Sequence, residues 1–319
     1  MATRKMILDL DTGIDDAMAI AYAVAAPDVD LIGIVSSYGN VLTPLSAQNS
    51  LKILELLGQQ DVPVFLGESH SSTTTQFEVM PISVQIHGKN GIGEVSLPTA
   101  KRQPETKSGV DFLIESAHTY GKDLIVVPTG PLTNLAKALK QAPEIQNEIG
   151  NVTLMGGALT VPGNVSPVAE ANINQDPTAA DQVFESNLNI TMVGLDVTLR
   201  TLLTKNETAQ WRKLNTVAGE KFADIVDYYI DVYKITSPHL HGCALHDPLA
   251  VGVALDPSLV STLDINMFVD TTKEMWGRTI GDPARLTDQH PNVSVALTVN
   301  QDTYLKRFMT YFSELFSQN

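Results

Sequence analysis

The chain has 319 residues, and its 36 acidic against 21 basic residues give a formal net charge of −15. This charge disfavours nucleic acid and anionic membranes as partners and suits a small neutral or cationic ligand. The length fits one α/β domain over residues 1–319, and the lone Cys243 excludes a disulfide framework and favours a cytoplasmic protein.

A short apolar strand opens the chain and is followed at once by a cluster of acids. Residues 6–10 predict a buried strand, Gly13 a turn and residues 14–26 a helix, so that Asp9, Asp11, Asp15 and Asp16 fall within eight residues. Carboxylates this close raise the cost of ionising one another unless a cation or hydrogen-bond donors offset their charge. Ligands of open α/β sheets bind beyond the carboxyl ends of the strands. We therefore expect Asp11, Asp15 and Asp16 to form the centre of a metal site.

Strands and helices alternate along the rest of the chain. Strands are predicted at residues 29–36, 62–66, 124–127, 152–155, 190–195, 260–269, 273–277 and 293–299. Helices are predicted at residues 43–57, 108–120, about 219–234 and 302–316, and others begin at Asp176, Thr204 and His246. A long polar loop is expected at residues 67–107, where functional residues tend to concentrate. The alternation predicts a mainly parallel sheet with helices on both faces.

Polar side chains recur where the predicted strands end. They are Asn40, Thr129, Glu170, Asn172, His246 and Asp247. Apart from the imidazole of His246, these side chains are oxygen donors, which select a hard cation such as Ca²⁺ over zinc. Simpler interpretations remain open at this point. Asp15 and Asp16 would stabilise a helix N-terminus by about 0.3–1 kcal/mol each, Asp247 would cap a helix before Pro248, and Met155 would belong to the core.

Taken together, the motifs resemble those of the inosine-uridine preferring nucleoside hydrolases. The resemblance is carried by Asp9-x-Asp11-x-Gly13-x-Asp15-Asp16, Tyr38-Gly39-Asn40, Ile86-His87-Gly88, Thr129-Gly130-Pro131-Leu132-Thr133-Asn134, Met155-Gly156-Gly157, Glu170-x-Asn172 and His246-Asp247-Pro248. It implies a single-domain, nucleoside-hydrolase-like α/β fold with a mainly parallel central sheet flanked by helices. It also implies a bound Ca²⁺ and hydrolysis of ribonucleosides to ribose and free purine or pyrimidine base, in nucleoside catabolism and salvage, by a homodimer or homotetramer.

The resemblance also implies roles for individual residues. The metal ligands would be Asp11, Asp16, the main-chain carbonyl of Thr129 and Asp247. The substrate-binding residues would be Asp15, Asn40, Met155, Asn164, Glu170, Asn172, His87, Tyr229 and Tyr233. Asp11 would also act as general base on a water at the metal, and His246 would protonate the leaving base.

Two departures from the family pattern stand out. Thr12 replaces a proline, which we expect to loosen the opening turn, and Ala171 replaces a bulkier aromatic residue in the ribose pocket. Two other functions remain open from sequence. One is a calcium-dependent nucleoside- or ribose-binding protein without turnover. The other is a haloacid-dehalogenase-like phosphatase, although Leu286 stands where the second acid of its Gly281-Asp282 metal motif would lie.

Overall fold

The computed structural model describes residues 3–319. Its strands are β1 (Arg4–Leu10), β2 (Val29–Ser36), β3 (Val64–Leu66), β4 (Glu105–Ser108), β5 (Leu124–Pro128), β6 (Asn151–Met155), β7 (Ile190–Val193), β8 (Leu202–Leu203), β9 (Cys243–Ala244), β10 (Val260–Ile265), β11 (Met267–Asp270), β12 (Arg278–Gly281) and β13 (Val293–Val299). Its α-helices are α1 (Ile14–Ala25), α2 (Thr43–Leu56), α3 (Pro81–His87), α4 (Gly109–Tyr120), α5 (Thr133–Gln141), α6 (Ala171–Gln175), α7 (Pro177–Phe184), α8 (Leu195–Thr198), α9 (Lys205–Arg212), α10 (Val217–Thr236), α11 (His246–Leu255) and α12 (Gln301–Phe316).

One large sheet organises these elements. Within residues 3–319 it has nine strands in the order β10-β13-β7-β6-β5-β1-β2-β3-β4. Only β10, at one edge, runs antiparallel to its neighbour. Strand β1 lies in the middle, parallel to both β2 and β5. The carboxyl ends of these strands therefore meet at one edge of the sheet, and the predicted α/β fold with a mainly parallel, helix-flanked sheet is confirmed.

Each face of the sheet is covered by its own apolar core. Alternate side chains of β1 point to opposite faces: Met6, Leu8 and Leu10 join the core beneath α1, α2 and α9–α12, whereas Ile7 joins the core beneath α4, α5 and α7. None of the helices in residues 3–319 combines the length and the apolar character needed to cross a membrane.

The structure corrects the predictions for the last third of the chain. The strand predicted at residues 260–269 is interrupted at Asn266, and its second half, β11, pairs with β12 outside the main sheet. The strand predicted at residues 273–277 is wrong, because that segment is a turn. Asp270 accepts a hydrogen bond from the Thr272 amide, and Gly277 has a φ of +80°. Local turn chemistry therefore overrides the strand pattern here.

Two further predictions are wrong in part. The segment 67–107 is not wholly loop, since it contains helix α3 and edge strand β4. Pro81 occupies the first turn of α3, a position that proline favours. The strand predicted at residues 190–195 ends at Val193, and Leu195 begins the short helix α8.

Candidate active site

Three acids from two helices meet at the carboxyl edge of the sheet. Asp15 and Asp16 lie in the first turn of α1, and Asp247 lies in the first turn of α11. One carboxylate oxygen from each lies within 4.8 Å of the others, and all three side chains are buried. Each helix N-terminus favours nearby negative charge, by roughly 0.3–1 kcal/mol for an exposed acid. Burying three carboxylates together costs several times that amount.

Asp11 lies beneath this group, immediately after β1. Its Oδ2 accepts a hydrogen bond from the Asn40 amide at 2.6 Å, and its Oδ1 accepts one from Asn40 Nδ2 at 3.2 Å. The neighbouring Gly39 has a φ of +152°, and a Cβ there would lie 1.9 Å from Asp11 Oδ2. Glycine is therefore required for the backbone to approach this carboxylate so closely.

Thr129, at the end of β5, connects Asp16 to the opposite side of the site. Its hydroxyl donates to Asp16 Oδ1 at 2.7 Å, and the Gly13 amide donates to Asp16 Oδ2 at 2.7 Å. The Thr129 carbonyl accepts a hydrogen bond from Asn172 Nδ2 at 2.8 Å. Both oxygens of Asp16 and the carbonyl of Thr129 are thus held in fixed directions.

The electrostatics of this acid group fit a bound cation. Burial raises the pKa of Asp15 and of Asp16 to about 6, and burial together with the neighbouring acids raises the pKa of Asp11 and of Asp247 well above its usual range. Asp15 Oδ1 is buried without a hydrogen-bond partner. A hard metal ion bound among these carboxylates would offset their charge, and the free oxygen of Asp15 would remain available to a hydroxyl of a ligand. The residues present therefore fit a metal site.

A second group of residues extends the site beyond β6. Glu170 caps α6 and accepts hydrogen bonds from the amides of Gly157, Asn172 and Ile173 at 3.0, 2.9 and 3.2 Å. Burial raises the pKa of Glu170 to about 7. Asn164 Oδ1 accepts a hydrogen bond from the Ala171 amide at 3.0 Å. These contacts fix the loop that carries Glu170 and Asn172 against the acid group.

The histidines and tyrosines form a third group. The Tyr233 hydroxyl lies 2.8 Å from His246 Nε2, and the Thr198 hydroxyl lies 2.8 Å from His246 Nδ1. The Tyr229 hydroxyl donates to Asp15 Oδ2 at 3.3 Å. Burial lowers the pKa of His246 to about 4, so that its imidazole is neutral at neutral pH.

His87 ends helix α3 and packs against the opening turn. Its Nδ1 accepts a hydrogen bond from the Ile14 amide at 3.2 Å, and burial lowers its pKa to about 4. A neutral imidazole that accepts at Nδ1 carries its hydrogen on Nε2. His87 is therefore a fixed hydrogen-bond donor through Nε2.

One cleft collects these groups. Of the predicted site residues, Asp15, Asn40, His87, Thr129, Met155, Asn164, Glu170, Asn172, Tyr229, Tyr233, His246 and Asp247 line it. Asp11 and Asp16 lie just below its floor and are 0% exposed. The structure thus brings all of the predicted residues to one place.

A further set of residues that line the cleft was not predicted from the sequence. This set consists of Met80, Ile82, Ser83 and Ile86 near or in α3, Leu199 after α8, and Thr236 and Ser237 at the end of α10. The spacing of Ile82 and Ile86 after Pro81 is a helix signal that was available in the sequence.

Comparison with known proteins identifies this arrangement. A family model described as inosine-uridine preferring nucleoside hydrolase matches residues 6–306. The chain belongs to this family. As a member, it is a nucleoside N-ribohydrolase, a glycosidase that acts on N-glycosyl bonds.

Relatives of this nucleoside hydrolase resemble it along their whole length. A probable uridine nucleosidase from Arabidopsis thaliana is 37% identical over 98% of each chain. The structure of a purine-preferring ribonucleoside hydrolase from Gardnerella vaginalis is 56% identical, with a TM-score of 0.98 over 99% of this chain and 100% of the other. An inosine-uridine preferring nucleoside hydrolase from Bacillus anthracis is 26% identical, with a TM-score of 0.76 over 99% and 100%.

The raised pKa of Glu170 predicts a pH-dependent stability difference. Burial raises this pKa from its ordinary value of 4.5 to about 7, so the folded hydrolase binds this proton more tightly than the unfolded chain. Its contribution to the free energy of unfolding therefore falls as the pH rises through this interval. With a chelator present, the free energy of unfolding of wild type should fall relative to that of Glu170→Gln between about pH 4.5 and pH 7, as measured by urea unfolding.

The comparison with Glu170→Gln isolates the titration of Glu170 together with its effect on the pKa of Asp247, which the Glu170 charge raises. Glu185→Gln, which removes an exposed carboxylate, serves as the control for the loss of one negative charge. Parallel profiles for wild type and Glu170→Gln would contradict the assignment.

Proposed function

We propose that this nucleoside hydrolase is a Ca²⁺-dependent enzyme that hydrolyses ribonucleosides to ribose and free purine or pyrimidine base. The observation that carries the proposal is the buried group of Asp15, Asp16 and Asp247 at the bottom of a cleft. Carboxylate, amide, imidazole and phenol side chains line this cleft. The relatives named for purine and for uridine substrates support activity on both base classes.

We assign the Ca²⁺ ligands to Asp11, Asp16, Asp247 and the main-chain carbonyl of Thr129. When bound, the ion would supply positive charge that offsets the carboxylates and orients the oxygen atoms of water and substrate. Three carboxylates and a carbonyl are hard oxygen donors, which calcium prefers. The absence of cysteine from this group, within the described residues, agrees with calcium rather than zinc.

The ribose would be held by side chains on both sides of the acid group. In this proposal Asp15, Glu170 and the amides of Asn40, Asn164 and Asn172 hydrogen-bond its hydroxyls, and Met155 packs against the ring. Cleavage of the N-glycosidic bond leaves positive charge on the ribosyl ring. A pocket rich in buried carboxylates stabilises that charge more than it stabilises the neutral nucleoside.

Two residues would move protons during hydrolysis. Asp11 takes a proton from the water whose oxygen attacks C1′, while the C1′–N bond breaks and its electron pair goes to the base. Because burial lowers the pKa of His246 to about 4, its imidazole is neutral in the free enzyme and must take up a proton before it supplies one to the leaving base. The hydroxyls of Tyr233 and Thr198, each 2.8 Å from a ring nitrogen, hold the imidazole in one orientation. His87, Tyr229 and Tyr233 would surround the base.

The remaining features of the proposal rest on sequence. We propose that residues 1–319 act as one domain in a cytoplasmic homodimer or homotetramer that serves nucleoside catabolism or salvage. The lone buried Cys243 and the family resemblance support this assignment.

The direct test is a nucleoside panel. Purified protein with Ca²⁺ should release ribose from inosine, uridine, cytidine or adenosine, and chelator should abolish release until Ca²⁺ is restored.

Deoxynucleosides should react about 10,000-fold more slowly, because their missing hydroxyl leaves buried polar groups unpaired. Asp11→Ala should abolish activity, and Thr208→Val, which removes a distant buried hydroxyl, should retain it. No release from any nucleoside by the metal-loaded protein would refute the function.

The role of His246 predicts a substrate-dependent effect. His246→Gln should lower kcat on inosine by about 100- to 10,000-fold, the range expected for loss of a general acid. On nitrophenyl riboside the loss should be less than about tenfold, since that leaving group departs without a proton. Steady-state kinetics on both substrates measure the difference. Equal losses would contradict the assignment of His246 as the acid.

A further inference from the structure

Helix α2 carries an unusual polar face. Ser46, Asn49 and Ser50 are spaced at i, i+3 and i+4, which places them on one side of the helix, and all three are 0% exposed. Buried hydroxyl and amide groups are costly unless they are hydrogen-bonded. Their hydrogen-bond partners therefore explain why these side chains can be buried.

These side chains hold the backbone on both sides of Asp11. Ser46 Oγ donates to the Leu10 carbonyl at 3.1 Å and lies 3.3 Å from Thr12 Oγ1. Asn49 Nδ2 donates to the Thr12 carbonyl at 3.3 Å. The residues before and after Asp11 are thus both attached to α2.

Thr12 completes this network with its own side chain. Its hydroxyl lies 2.7 Å from Ser50 Oγ, and the residue is 0% exposed. We expected that a threonine in place of the family's proline would loosen the turn, and the structure adds that the threonine hydroxyl is hydrogen-bonded to α2. A buried hydroxyl network holds the turn where a proline ring would otherwise restrict it.

The same helix face reaches the loop that follows His87. Asn49 Nδ2 also donates to the Asn90 carbonyl at 2.8 Å, and a Cβ at Gly91 would lie 2.8 Å from that nitrogen. The Ile14 amide donates to His87 Nδ1 on the other side of the turn. The opening turn and the end of α3 are therefore connected at two points.

We propose that Thr12, Ser46, Asn49 and Ser50 are positioning residues. They fix the turn after β1 for metal binding and hold the loop after His87 in a fixed position relative to that turn. We call these four residues the α2 clamp. The inference rests on the proposed function, which supplies the metal: the proposed ligands Asp11 and Asp16 lie within or beside the turn that the clamp holds. Groups that orient metal ligands typically contribute about 10- to 100-fold to metal affinity.

Thr12→Val tests the clamp, because it keeps the size and β-branching of threonine but removes the hydroxyl. Calorimetric titration should show Ca²⁺ affinity reduced about tenfold or more. Thr12→Ser keeps the hydroxyl, so its Ca²⁺ affinity should remain within about threefold of the wild-type value. Thr208→Val is the matched control, because it removes a buried threonine hydroxyl that donates to Asp227 on α10, and its affinity should not change.

Amide hydrogen exchange of the metal-free protein provides a second readout. Thr12→Val should increase exchange in residues 10–16 and also in residues 88–93, and Thr208→Val should change neither segment. If Thr12→Val does not fold, Ser50→Ala takes its place, with the same expected changes. Unchanged affinity and exchange in Thr12→Val, or equal losses in Thr12→Ser, would overturn the proposal.

These results are separable from a failure of the proposed function. Wild-type protein that binds Ca²⁺ but releases no ribose would refute the hydrolase mechanism, while the affinities of the variants would still decide the role of the clamp. If wild type bound no Ca²⁺, the proposed cofactor would be wrong, and the hydrogen-exchange data alone would decide whether the clamp holds the turn and the His87 loop.

Discussion

Mutual repulsion among buried carboxylates is the constraint on which the rest of this structure depends. Asp11, Asp15, Asp16 and Asp247 are buried at one edge of the sheet, and burial raises the pKa of each. Amides of the protein donate to some of their oxygens, but Asp15 Oδ1 has no partner. A cation bound there would offset the charge of these carboxylates, and this connects the fold to the proposed chemistry.

The fold brings the acids together from distant parts of the sequence. Asp11 follows the central strand β1, while Asp15 and Asp247 begin α1 and α11, which pack against each other. Gly252 on α11 suits this close packing, since a Cβ there would lie 3.0 Å from the ring of Tyr304 on α12 and 3.3 Å from the hydroxyl of Tyr22 on α1. The N-termini of both helices, which are the positive ends of their dipoles, then point toward the same acids.

Support for the site extends well behind the residues that would touch the substrate. Asp9 accepts a hydrogen bond from Asn134 Nδ2 at 2.8 Å on the side of the sheet opposite α1. The α2 clamp holds the turn from the other side. The acids are therefore fixed by packing and hydrogen bonds from both faces of the sheet, as a preorganised site requires.

Local signals in the sequence were sufficient to predict a mainly parallel sheet and the N-terminal acids at its edge, whereas Asp247 was placed with them by the family resemblance. The apolar run before Asp11 and the polar residues at strand ends are visible without tertiary information. The cleft residues on α3 were missed, since a seven-residue helix in a polar segment gives a weak periodic signal. The turn at residues 272–277 was misassigned because the Asp270 side chain and Gly277 decide it.

The buried polar face of α2 could not be predicted for a different reason. A Ser-Asn-Ser pattern on a helix is normally a solvent-facing surface. Only the tertiary structure shows that Thr12 and the backbone around Asp11 provide hydrogen-bond partners for the two serine hydroxyls and for Asn49 Nδ2. The consequence of replacing proline by threonine at this position was also inaccessible, because it depends on residues more than 30 positions away.

The central claim is that a cation offsets the buried acids, and calorimetric titration of Ca²⁺ at about pH 6 tests it most directly. Carboxylates with raised pKa values must lose protons to bind a metal. Titrations in buffers of different ionisation enthalpy should show one ion per chain, with net release of protons. Absence of binding, or binding without proton release, would contradict the account.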